Sequence, residues 1–195
     1  MSSETPAELV ERLAVPHRAR AAFRDLLSLQ GAAMDAVQAG LSHPNAAVRY
    51  YCCRFLDHFV EPDGWGDLVD MLDDPAAGVR SAALHSLACD RCKEGELPER
   101  GKVLPDALRL LAGDPDAHVR AMAVEVVGRF VHERYEARAA IDAAIAHDPS
   151  PAVRKKARWF APGGPIFNRT RPKASRKNRT VPSPLAGEGV DEVDG

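Results

Sequence analysis

The sequence predicts an all-α protein, an α-α superhelix or solenoid of about four to five stacked helical hairpins. Three observations predict it. First, four segments align in one register: "LSHPNAAVRYYCCRFL", "LDDPAAGVRSAALHSL", "AGDPDAHVRAMAVEVV" and "AHDPSPAVRKKARWFA". Each sets a proline four residues before a Val-Arg pair, and the arginines Arg49, Arg80, Arg120 and Arg154 recur at spacings of 31, 40 and 34. Second, counting that valine as zero, apolar or small residues fall at +4, +7, +8 and often +11, which is one stripe of a helix. Third, the +4 residue is always small (Cys52, Ala83, Ala123, Ala157), as close helix contact requires.

The elements follow in order. Residues 1–14, "MSSETPAELVERLA", form an N-terminal cap segment; acidic residues come early and no continuous apolar core appears, so no signal peptide is expected. "VPHRARAAFRDLLSLQ" is a worn copy of the repeat with Arg20 in register, and the array is expected to run over 15–161. The Asp-Pro of the later units (Asp74, Asp114, Asp148) suits an N-cap followed by proline at the first helical position. Each unit is preceded by its own apolar-periodic helix. "WGDLVDMLD" spaces Trp65, Leu68, Val69 and Leu72 helically, and "VLPDALRLLAG" does the same with Leu104, Leu108 and Leu111. A hairpin of this kind cannot bury its apolar face alone, so the units must stack. "PGGP" then breaks the pattern, and 162–195 is expected to be a disordered tail, basic and then acidic.

The D-P-x-x-x-V-R-x-x-A pattern resembles HEAT repeats, an armadillo-like helical class. The likeness is strongest to the short bacterial kind first named from phycobilin lyase subunits, and to a compact bacterial HEAT-repeat family. The resemblance implies a ladder of hydrogen bonds between neighbouring units, carried by Asp74, Arg80, Asp114, Arg120, Asp148, Arg154 and Arg49. In the first clear unit His43 replaces the aspartate. His132-Glu133 resembles one His-Glu pair of deoxyhypusine hydroxylase, whose family needs several such pairs; here the dipeptide reads as a polar helix end.

Composition bounds the function. Residues 1–148 hold 16 Lys/Arg against 24 Asp/Glu, whereas 149–187 hold ten Lys/Arg and no acid. No apolar run reaches the ~20 residues of a membrane span. Four cysteines imply reduced thiols and a cytoplasmic chain. No phosphate-binding glycine loop and no nucleophile elbow occurs, so the chain reads as no enzyme and as needing no cofactor. Cys52 and Cys53 read as small core residues. "ACDRCKEGE", with Cys89 and Cys92, falls in the longest spacing and reads as an irregular loop with no metal; the alternative is an N2S2 zinc set from His58, His85, Cys89 and Cys92.

The face opposite the stripe carries +2, +6 and +9, flanked by +10. Its Tyr50, Arg54, His85, Glu125, Arg129 and Trp159 mix aromatic and charged types favoured at binding hot spots. In HEAT-like arrays the second helices line a concave surface suited to extended partners. The main reading is a non-catalytic scaffold binding a protein partner on that face, without membrane contact. Two alternatives stand beside it. One is a nucleic-acid-binding array using the basic C-terminus (Lys155, Lys156, Arg158, Arg169, Arg171, Lys173, Arg176, Lys177, Arg179). The other, from the resemblance alone, is an auxiliary subunit of the phycobilin-lyase type.

Overall fold

Repeated apolar stripes do form paired helices. The structure, a computed structural model, describes residues 4–59, 65–89 and 100–172. It contains helices and no strand among these residues. Five helical hairpins run in order: α1 (Pro6–Arg12) with α2 (Pro16–Leu29), α3 (Met34–Gly40) with α4 (Ala46–Phe59), α5 (Trp65–Asp70) with α6 (Ala77–Ala88), α7 (Arg100–Gly113) with α8 (Ala117–Val127), and α9 (Tyr135–His147) with α10 (Pro151–Arg158). A short helix, α11 (Pro165–Thr170), follows. The fold is a HEAT-like α-solenoid.

The second helices pack in a row, α4 on α6, α6 on α8 and α8 on α10. Their seam is built by the small +4 residues: Cys52, Ala83, Ala123 and Ala157 are all fully buried, and a larger side chain there would hold neighbouring backbones apart. The valines Val48, Val79, Val119 and Val153 are equally buried, each contributing about 1.5–3 kcal/mol by removal from water. The Ser86 hydroxyl bridges the seam, donating to the Cys53 carbonyl at 2.8 Å. Burial pushes the Cys52 thiol up to about 12, and it raises that of Cys53 too, so both act as core residues.

Two expectations are corrected. Asp74, Asp114 and Asp148 do not cap their helices, which begin three residues later at Ala77, Ala117 and Pro151. Each aspartate instead accepts the N–H two residues on (Ala76, Asp116, Ser150, all 2.8 Å), a local turn that leaves its carboxylate facing the preceding unit. Residues just after 161 are also not without structure. "PGGP" makes a tight reversal rather than an end. Gly163 adopts a φ of 88°, where side chains are strained, and a Cβ on Gly164 would strike the Arg158 and Trp159 carbonyls. The Trp159 carbonyl then accepts the N–H groups of Ile166 and Phe167, both at 3.0 Å, which folds α11 back onto the array.

Candidate functional site: the face of the second helices

A polar spine links the units of the second helices from α4 through α6 and α8 to α10. Arg49 reaches across to Asp74 in the next unit (Nε–Oδ2 2.6 Å, Nη2–Oδ1 3.0 Å), Arg80 to Asp114 (2.7 and 2.8 Å), and Arg120 to Asp148 (2.8 and 3.0 Å). Two parallel charge-assisted bonds fix orientation as well as distance. The same guanidinium groups use Nη1 to bind carbonyls of their own unit, as Arg154 does with Asp148 and Pro149. His43 takes over the local turn of the missing aspartate: its Nδ1 accepts the Asn45 N–H at 3.0 Å. Burial would raise the carboxyl pKa values of Asp74, Asp114 and Asp148. The arginine hydrogen bond, the backbone N–H and the nearby guanidinium charges together outweigh it and hold all three below the usual range.

Above this spine the expected face divides into two depressions. Tyr50, Arg54 and His85 line the first, about 240 Å³, together with Ser81, His118 and Met122. Arg54 donates to the Tyr50 hydroxyl at 3.3 Å, while its buried Nε has no hydrogen-bond partner. Glu125, Arg129 and Trp159 line the second, about 450 Å³, with Lys156, Phe160 and Ile166. Glu125 and Lys156 are ion-paired there, and Trp159 is 38% exposed.

The +9 row does not belong to the outward face. Asp57 and Gly128 are buried, because the neighbouring second helix covers that flank. Asp57 is only 1% exposed, and its Oδ2 lies 3.5 Å from His85 Nε2. One ligand atom each from Asp57, His85 and Cys89 falls within 4.8 Å of the others. His58 is not brought to this cluster: it sits about 100° further round α4, exposed, with its ring 6.0 Å from Phe59. Cys92 and the rest of its loop lie outside the described residues. Asp57 carried a usable signal, its +9 position beside the +10 rung of Cys89, but a lone helix does not show which flank a neighbour will bury.

The remaining residues singled out by sequence fall at the C-terminal end. Lys155, Arg158, Arg169 and Arg171 are exposed, while Lys173, Arg176, Lys177 and Arg179 lie outside the described residues. His132 holds α11: its Nε2 is 3.1 Å from both the Phe167 carbonyl and the Thr170 hydroxyl, and its ring packs on Phe167. Among the described residues, no helix is long and apolar enough to cross a membrane.

No protein-family model matches this sequence, and no curated protein matches it either. Among solved structures it is similar to the complex of CpcE and CpcF of phycocyanin lyase from Nostoc sp. PCC7120. The match has a TM-score of 0.64 at 22% identity and covers 78% of this chain and 95% of that one. The likeness establishes a shared helical-repeat fold. It also corrects the expectation of a non-enzyme: an array of this kind serves phycocyanin lyase, so missing phosphate loops and nucleophile elbows do not place a chain of this fold outside enzyme function.

Proposed function

We propose that this chain is a helical-repeat subunit of the phycobilin-lyase type, working in complex with a second protein held on the outward face of its second helices. The observation that carries the proposal is the match along 95% of a chain from a two-protein lyase complex. The character of the face supports it. Both depressions, about 240 and 450 Å³, are open and lined by aromatic and charged side chains, a surface that side chains of a partner can enter. Arg54 and the Tyr50 hydroxyl it donates to line the first depression, where a partner can meet both a cation and an aromatic ring. Trp159 offers an aromatic anchor one depression away. Binding of nucleic acid has less support: Lys156 is already paired with Glu125, and the array itself is acidic.

The test is co-expression of the full chain with a second helical-repeat subunit from its own source, in the presence of a bilin-carrying acceptor protein. Complex formation is read by light scattering and bilin transfer or release by visible absorption. The expected result is a stable complex that alters the bilin spectrum only when both subunits are present. Arg54→Ala and Trp159→Ala should each weaken the complex by about tenfold or more, with unchanged helicity. A folded chain that forms no complex and leaves the spectrum unchanged refutes the proposal.

A further inference from the structure

The cluster between α4 and α6 has its own chemistry. His85 and Cys89 are four residues apart, so α6 presents them on one face, one turn above the other. Cys89 is the residue at which the helix ends, with an extended backbone (φ −78°, ψ 110°) that turns its chain away from the axis. Asp57 comes from the neighbouring second helix and is buried in the seam. Three different donors therefore converge: an imidazole nitrogen, a thiol sulfur and a carboxylate oxygen, all within 4.8 Å. Tetrahedral zinc bonds of about 2.0–2.3 Å put ligand atoms about 3.3–3.8 Å apart. The 3.5 Å between His85 Nε2 and Asp57 Oδ2 already meets that spacing, and closing the remainder takes a shift of about 1 Å. His85 and Cys89 are only half-buried and have the room to make it.

We propose that Asp57, His85 and Cys89 form a three-ligand zinc site at the junction of α4 and α6. Mixed nitrogen, sulfur and oxygen donors suit zinc and disfavour magnesium and calcium, which take all-oxygen shells. Three protein ligands leave a fourth position open to water or to a donor atom from a bound molecule, the arrangement of reactive rather than closed structural zinc. His85 also lines the first depression, so the ion would border the surface where a partner docks.

The experiment measures metal on the full chain, purified without chelator, by mass spectrometry, and then follows cobalt(II) substitution by absorption. The expected result is close to one equivalent of zinc and a cobalt spectrum with tetrahedral visible bands and a near-ultraviolet thiolate charge-transfer band. Cys89→Ser should abolish the charge-transfer band, and His85→Ala should weaken metal binding by about tenfold or more. Both residues are partly exposed, so these variants test the site even where Asp57→Asn fails to fold. Cys92→Ser should retain the band. Substoichiometric metal in a folded chain, or a charge-transfer band that survives Cys89→Ser, overturns the proposal.

Discussion

Arg80 shows what one residue does in this molecule. Its guanidinium joins the carboxylate of Asp114 in the following unit and two carbonyls of its own, with side-chain exposures of only 11% and 2% across the pair. Removing it strands a buried carboxylate, so Arg80→Ala should cost about 2–4 kcal/mol in urea denaturation. Arg80→Lys keeps the charge but not the two-pronged geometry and should recover less than half of that loss. Arg154→Ala should cost about 1 kcal/mol, because Arg154 binds carbonyls and closes no such pair among the described residues. These pairs were legible through the resemblance to HEAT repeats, which implies a ladder between the Asp and Arg that recur in one register. Asp57 was harder to read, because its surroundings are made by a helix more than twenty residues away.

At the scale of elements, close helix approach depends on missing atoms. Gly128 follows α8 where the Phe160 ring at the end of α10 lies against it, and an added Cβ would overlap the ring. Gly128→Ala should therefore destabilise by about 1–3 kcal/mol through overpacking. Combining it with Phe160→Leu should give less than the sum of the two losses, a non-additivity read from a double-mutant cycle. Hairpin order and the apolar stripes could be read from helical period and proline spacing. The helix starts could not, because the Asx-type turn at Asp74, Asp114 and Asp148 competes with capping, and only the arginine across the seam decides between them. Nor was α11 legible: six residues are too few for a period, and its anchor His132 lies 35 residues from Phe167.

Across the whole molecule the spine links neighbour to neighbour, so its protonation is felt by the entire array. Asp74, Asp114 and Asp148 ionise more readily folded than unfolded, where a free carboxyl titrates near about 3.9. Their stabilisation is therefore complete above that value and is lost as pH falls through the lower folded pKa values. Denaturation midpoints should decline below about pH 4, and Asp114→Asn, weaker at neutral pH, should decline less steeply. The docked α11 carries a different consequence. Ile166, Arg169 and Thr170 supply one wall of the second depression, so that depression exists only while the short helix is seated. Whatever binds there must first find the seated form, and its apparent affinity is reduced by the fraction of time the wall is away. Once bound it closes the latch, so occupancy at Trp159 would be read as slowed amide exchange at Phe167, a site the bound molecule need not touch.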